Sequence, residues 1–428
     1  MKRASAARAV AAHVLTRVAA DAAFADLALD AALAARPLPP RDAALATELV
    51  YGTLRWQRYL DWILAPHSKR RLDALDAPVL AILRMTAYQL AFLERVPPFA
   101  AVDDAVTLAR GKPGVAGFVN AVLRAFARRG AAEREPAPPR DPLDALATRC
   151  SFPTWLAARW VARYGQDEAE ALMRAMNERP PLTLRANTLR VSREALAARL
   201  AAEEGLAPRP TRWAPEGLVV GGSGAPAAWR AFAEGAFAVQ DEASMLVARL
   251  LEPRPGDTVA DVCAAPGTKT THLAQLLDNR GRVLAFDPHP MRLARVREAA
   301  ARLGAGIVET LEGSADAPCS NLGVLRRNPD VKWRRQPGDL AAGAERQRGL
   351  LAAGAAMVKP GGRLVYATCS LEPEENEAVT EAFRAAHPDF RPDPPAAFPF
   401  PLEADGTLRC LPHRHGTDGF TAVRFRRA

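Results

Sequence analysis

Thr258-Val259-Ala260-Asp261-Val262-Cys263-Ala264-Ala265-Pro266-Gly267-Thr268-Lys269-Thr270 is the stretch that decides the fold. Thr258–Cys263 is β-branched and apolar and reads as a strand running into a Gly/Pro turn. A helix over Thr270–Leu277 follows. Small residues at such a turn let the backbone approach a ligand, and a helix N-terminus offers unpaired N–H groups. The stretch lacks the first glycine of a GxxxxGK[ST] phosphate loop, because Asp261 and Val262 stand there, and it is not GxGxxG. A second strand, Arg282–Phe286, leads into Asp287, about twenty residues on, where an acid hydrogen-bonds a ribose diol. The ligand is therefore a nucleoside with no required pyrophosphate, and S-adenosylmethionine fits.

Outward from this point the rhythm stays strand–helix–strand. Met291–Leu303 and Arg346–Val358 read as helices, and Gly306–Thr310 and Arg363–Tyr366 as strands. Such alternation implies an open parallel sheet that binds ligands at the carboxyl ends of its strands. Two cysteines fall at or near those ends, Cys319 in Asp316-Ala317-Pro318-Cys319-Ser320 and Cys369 in Thr368-Cys369-Ser370. A lone cysteine in a strand is more often a small core hydrophobe than a catalyst. Two beside turn residues on one sheet edge point to thiolate chemistry. Cytosine C5 is a poor nucleophile. A thiolate added at C6 makes C5 enamine-like and able to attack a sulfonium methyl. The C5 proton must then leave and the thiolate be expelled, a step that a second cysteine or an acid can assist.

The 428-residue chain is 49% hydrophobic and 25% charged, an ordinary globular composition. No apolar run reaches the roughly 18–20 residues needed to span a bilayer, and the Ala-rich start has no signal-peptide pattern, so a cytoplasmic protein is expected. Net charge is +9, and residues 1–130 hold 18 Lys and Arg against 11 Asp and Glu. A basic front third attracts phosphate backbones. Five widely spaced cysteines with no CxxC pair argue against a disulfide framework or a zinc site, so free thiols are expected. Cys410, His413 and His415 match no standard metal spacing, so no metal is expected.

Residues 1–130 read as an all-helical bundle, with Val10, Val14, Leu15 and Val18 at helical spacing and prolines at 37, 39, 40, 97 and 98 breaking it. Gly130–Pro142 reads as a linker. Residues 142–236 read as a small α/β module: helices at Trp155–Tyr164, Glu168–Met176 and Arg193–Glu203, strands at Leu182–Ala186 and Gly217–Val220. Residues 237–428 form the α/β domain.

With Pro318-Cys319-Ser320, Thr368-Cys369-Ser370, Asp261–Leu277 and Arg326–Trp333 quoted, the chain resembles the bacterial RsmB (Sun or Fmu) family of 16S rRNA cytosine-C5 methyltransferases along almost its whole length. The resemblance implies a multidomain fold: an all-α NusB-like RNA-binding bundle (1–130), a small α/β RRM-like module (142–236) and a Rossmann-like methyltransferase domain (237–428). The module carries Arg185-Ala186-Asn187 and Val239–Ser244; Leu411–Phe420 resembles the family's closing hairpin. It implies that Cys369 is the nucleophile and that Cys319 assists product release. It also implies that Cys263, Ala264, Ala265, Pro266, Gly267, Thr268, Lys269 and Asp287 line the cofactor site, with Asp316 against cofactor and base. The implied substrate is cytosine 967 of 16S rRNA or a small-subunit assembly intermediate, and the protein is expected to be a monomer. Arg326–Trp333 adds basic and aromatic groups suited to phosphate contact and base stacking at the active-site rim.

The chain departs from that pattern between Thr310 and Cys319. The family has a Gly-Asp pair, a short helix and an apolar strand before Asp-Ala-Pro-Cys, and this chain passes from Gly313-Ser314 almost straight to Asp316. A central strand of the sheet is thus deleted. Either the sheet closes over the gap or Gly306–Thr310 is drawn into it, and cofactor affinity is expected to suffer most. Ser320-Asn321 stands where Ser-Gly is common. Two other readings follow from the residues: an RNA-binding protein with an inert catalytic domain, and a Rossmann-type dehydrogenase or nucleotidase, against which the missing glycine signatures argue.

Overall fold

The computed structural model describes residues 4–111, 113–129, 135–221, 225–313 and 319–428. The chain divides into two compact units, Met1–Glu178 with Leu325–Arg335, and Arg179–Val324 with Gln336–Ala428. The first is built from helices α1 (Ala6–Ala20), α2 (Ala25–Ala35), α3 (Pro40–Arg55), α4 (Gln57–Leu64), α5 (Ala77–Phe92), α6 (Pro98–Leu108), α7 (Val115–Ala127), α8 (Pro142–Arg149), α9 (Thr154–Tyr164) and α10 (Gln166–Met176). Pro40 and Pro98 open α3 and α6 at the first helical position, where a missing N–H costs nothing. The apolar stripes meet in a core around Val14, Leu49, Leu83, Leu123 and Phe126. Within it a buried polar link, Arg8 to Gln89 Oε1 (2.7 Å) and to Asp104 Oδ2 (3.0 Å), joins α1, α5 and α6.

The second unit begins with β1 (Leu182–Ala186), α11 (Arg193–Glu204), β2 (Arg209–Pro210), β3 (Gly217–Val220), the short α12 (Arg230–Ala233) and β4 (Phe237–Val239). Ser192 caps α11, and Gly205 ends it in the left-handed conformation. The four strands form an antiparallel sheet in the order β2-β3-β1-β4. β4 lies beyond residue 236, yet it pairs with β1, Val239 opposite Leu184. Three apolar or small residues beside a turn were too short a run to be read as a strand from sequence.

α13 (Glu242–Leu250) leads to the parallel part: β5 (Thr258–Asp261), α14 (Thr268–Leu276), β6 (Arg282–Asp287), α15 (Pro290–Leu303) and β7 (Val308–Glu312), with strand order β5-β6-β7. The short α16 (Val331–Arg334) belongs to the first unit. α17 (Pro337–Ala356), β8 (Arg363–Thr368), α18 (Glu377–Ala386), β9 (Phe390–Pro392), β10 (Leu408–Cys410), the short α19 (Pro412–His415) and β11 (Phe420–Arg427) complete the chain. α17 starts at Pro337 rather than Arg346, because Gln336 and Asp339 form a reciprocal cap around a proline at its first position. β8, β9 and β10 all pair antiparallel with β11.

Neither expected answer to the shortened segment occurs. β7 stays on β6, Val308 opposite Val283, and the strands fall into two separate sheets, β5-β6-β7 and β10-β11-β8. Among the described residues no strand joins β5 to β8, and Thr258 and Ala260 of β5 are exposed. Five parallel pairs, from Val283 opposite Val308 to Asp287 opposite Glu312, keep β7 on β6, and moving it would break that pairing without supplying the missing chain length.

Candidate active site

The turn after β5 is held from several sides. Ala264 N–H donates to Phe286 O (2.9 Å) and Gly267 N–H to Ala264 O (2.7 Å). Asp261 accepts from Thr270 Oγ1 (2.7 Å) and from Cys263 N–H (3.3 Å). Ala265-Pro266 is a cis peptide bond. Gly267 has φ +99° and a Cβ there would lie 3.1 Å from Val296 Cα, so the turn both needs the left-handed region and packs tightly on α15. Cys263 and Pro266 are exposed, Ala265, Thr268 and Lys269 half-buried, and Ala264 and Gly267 buried. Burial lowers the Lys269 ammonium below its usual range, while Asp261 pulls the other way. Its Nζ stands 5.4 Å from the Phe420 ring centre, and among the described residues it makes no salt bridge.

Asp287 ends β6 and is buried. Its Oδ1 accepts from His289 N–H (2.9 Å) and its Oδ2 lies 3.2 Å from Arg292. The carboxylate is therefore already oriented at the strand's carboxyl end. Asp316, with Ser314, lies outside the described residues.

The two cysteines expected to cooperate are brought together. The sulfurs of Cys319 and Cys369 are in contact, with Cα atoms 6.5 Å apart, a separation that admits a disulfide. The expectation of five free thiols is corrected at this pair: fifty residues of sequence hide a juxtaposition that folding creates. Both sulfurs contact Asn321 Oδ1, at 3.1 and 2.8 Å. The two loops are pinned by Gly323 N–H to Cys369 O (2.9 Å), Ser320 Oγ to Ser370 Oγ (3.0 Å) and Ser320 N–H to Glu375 Oε1 (2.8 Å). Asn376 ties the turn after β8, accepting from Thr368 Oγ1 (2.6 Å) and donating to Ser370 O (3.1 Å) and Glu372 O (2.9 Å). Phe420 packs with Cys369 in one apolar cluster and also faces Lys269, so the nucleoside-type turn and the cysteine loops share a wall.

Sequence reading missed Asn321, Glu375 and Asn376, and also a buried clamp behind the turn. Arg185 of β1 donates to Thr268 O (2.6 Å), to Thr271 Oγ1 (3.0 Å) and to Gln240 Oε1. Asn187 donates to Leu303 O (2.7 Å). The small sheet thus holds both helices that flank the turn. Below it, His272 Nε2 lies 2.7 Å from Glu216 Oε1, both fully buried. Burial and Arg185 pull His272 down to about 4. Burial opposes ionisation of Glu216, but His272 and Arg249 hold it at about 2. As pH falls from about 6.5 toward 4, an unfolded chain binds a proton at His272 that the folded one refuses, and stability drops by up to ~1.4 kcal/mol per unit. The Glu216 contribution, present above about 4.5, is lost only on further acidification toward 2. His272→Gln, which cannot titrate, should flatten the dependence of melting temperature on pH between 6.5 and 4. An unchanged slope in thermal melts would refute this.

The rim expected from Arg326–Trp333 is corrected. Lys332 is 1% and Arg326 3% exposed. Lys332 Nζ donates to Arg55 O (2.8 Å) and Asn177 Oδ1 (2.9 Å) and stands 4.0 Å from the Phe152 ring centre; Trp333 Nε1 donates to Leu54 O (2.7 Å). The segment is a staple inside the helical unit. The buried Lys332 ammonium is met by two oxygen acceptors and the face of the Phe152 ring. Cys410 is likewise core, its thiol pushed well up by burial, and His415 Nδ1 accepts from Leu411 N–H (2.9 Å).

The fold places two cysteines beside a nucleoside-type turn on a Rossmann-like sheet, the architecture of a methyltransferase domain. The family described as 16S rRNA methyltransferase RsmB/F matches residues 248–426, the NusB family residues 5–128, and the RsmF/B-like ferredoxin-like domain residues 152–225. The probable ribosomal RNA small subunit methyltransferase B of Bacillus subtilis is 38% identical over 98% of each chain. That of Synechocystis is 38% identical over 95% of this chain and 96% of its own. The crystal structure of PH0851 aligns with a TM-score of 0.82 at 29% identity over 99% of this chain and all of its own. NSun6 from Pyrococcus horikoshii with SFG aligns at 0.58 and 26%, over 64% of this chain and 98% of its own. The chain belongs to the RsmB branch of the RsmB/F methyltransferase family.

Proposed function

We propose that the protein transfers a methyl group from S-adenosylmethionine to C5 of a cytosine in small-subunit rRNA, cytosine 967 by family resemblance, with Cys369 as nucleophile. The observation that carries this reading is the contact of the Cys319 and Cys369 sulfurs on the wall shared with Lys269. The turn fits the cofactor: Lys269 would hold its carboxylate, Asp287 its ribose, and Cys263–Thr268 its flank, with Asp316 against cofactor and base. When bound, S-adenosylmethionine supplies an electrophilic methyl on sulfur. The Cys369 thiolate adds to C6 of an unstacked cytosine, and the electron pair moves to C5, which takes the methyl. Loss of the C5 proton and breaking of the C6–S bond return the thiolate, a step assigned to Cys319. Residues 1–130 serve as the NusB-like RNA grip, 142–236 as the RRM-like module and 237–428 as the catalytic domain of a cytoplasmic monomer. Among the described residues no helix is long and apolar enough to cross a membrane.

The test is transfer of labelled methyl to unmodified small-subunit rRNA, run beside Cys369→Ala. Label in RNA that falls at least ~10³-fold in the mutant is expected. No label from the parent protein, with RNA binding retained, would overturn the reading and leave an RNA-binding protein whose divided sheet no longer supports catalysis.

A further inference from the structure

Asn321 occupies the left-handed region at φ +61°, a conformation that asparagine, with its short polar side chain, tolerates better than most L residues. Its side chain ends in an amide that can both accept and donate a hydrogen bond. That amide is not free to wander. Val324 N–H donates to Asn321 O (3.2 Å), Gly323 N–H to Cys369 O (2.9 Å) and Gly419 N–H to Gly323 O (2.7 Å), and a Cβ on Gly323 would lie 2.1 Å from Gly419 O. The backbone around Asn321 is thus pressed against the turn after β8 and the start of β11. Its side-chain Oδ1 ends 2.8 Å from Cys369 Sγ and 3.1 Å from Cys319 Sγ.

We propose that Asn321 is a positioning residue that sets the protonation of the cysteine pair. With both sulfurs protonated, Oδ1 accepts from each S–H. When Cys369 gives its proton to solvent, half a turn about the Cβ–Cγ bond exchanges the amide oxygen for Nδ2, and an N–H donates to the thiolate. A hydrogen bond to the charged form favours that form. The closer sulfur, Cys369, gains more, and the negative charge on it keeps Cys319 protonated, since two like charges in contact suppress each other's ionisation. One thiolate and one thiol are the starting state: Cys369 attacks as the thiolate, and once its sulfur is bonded to C6 its charge no longer holds the proton on Cys319, which can then ionise and take the C5 proton. The catalytic consequence rests on the reading of Cys369 as nucleophile; the ionisation itself does not.

The experiment uses full-length protein under reductant, so that both sulfurs are thiols, and iodoacetamide as the probe. The alkylation rate of the Cys369 peptide is followed by mass spectrometry from about pH 6 to pH 10, a range that brackets ordinary thiol ionisation. Asn321→Gly keeps the backbone conformation and removes the amide. It should raise the Cys369 midpoint by about one unit and slow alkylation at pH 7 about tenfold. Asn321→Asp should shift it further by like charge, and melting curves check that both variants fold. An unchanged or lowered midpoint in folded Asn321→Gly overturns the proposal. A raised midpoint supports it even if Cys369→Ala still methylates RNA, an outcome that would sink the functional reading alone.

Discussion

Cys319→Ala should leave methyl transfer to bound RNA intact for one turnover and then stall, accumulating a covalent protein–RNA complex that survives denaturing electrophoresis. The Cys319 and Cys369 sulfurs are in contact, so whatever Cys369 binds lies within reach of Cys319. Once C5 carries its methyl, the adduct can collapse only when the C5 proton is removed. A positioned proton acceptor is worth about 10²–10⁴ in rate. Without it, turnover should fall by that range while the adduct persists. The complex should carry label from both methyl donor and RNA, and it should vanish in the Cys319→Ala, Cys369→Ala double variant. Multiple turnover by Cys319→Ala at the parent rate would remove Cys319 from the mechanism.

Lys332→Ala should destabilise the protein by about 3–4 kcal/mol. Two buried acceptors, Arg55 O and Asn177 Oδ1, lose their donor, at about 1–3 kcal/mol each if left unpaired. The truncated stem leaves a void against Phe152. Part of this is offset because burial strains the ammonium, holding it well below its usual range with Arg55 adding to the effect. For the same reason the parent protein should gain stability from this group as pH rises through the lowered folded value toward about 10.5, since the folded chain then no longer carries the buried charge. Lys332→Met fills the void and should cost less, about 1–2 kcal/mol, by losing only the donors. Urea titration checks both. The salt dependence of RNA binding separates this role from a phosphate contact. A phosphate-bound lysine would lower the slope of log K against log salt by about 0.7–0.9, whereas a buried staple should leave it unchanged.

The local half of this protein was legible in its residues. Leu182–Ala186, read from its alternation, and Gly217–Val220, read as a short apolar strand, are strands at the expected boundaries, and the turn from β5 into α14 lies where Pro266-Gly267 places it. The reason is that periodicity, caps and turn residues act over a few positions, so neighbours in sequence suffice to set them. The short run between Thr310 and Cys319 was legible too, as chain length too short for a helix and a strand.

The tertiary structure decided the rest. Whether β7 would fill the gap depended on what its pairing with β6 was worth against a vacant place elsewhere, a comparison of long-range contacts. Arg326 and Lys332 look like a rim on any charge count. Only the packing inside the helical unit shows both buried, with the Lys332 ammonium met by Arg55 O, Asn177 and the Phe152 ring and the Arg326 carbonyl held by Arg55. Arg185 reads as one more basic residue until its guanidinium is seen on Thr268 O. Asn321 reads as a mild exchange for glycine until its amide meets two sulfurs that stand fifty positions apart in sequence. In each case the deciding partner is distant along the chain, and the free energy of such a contact exists only once folding has brought the partners together.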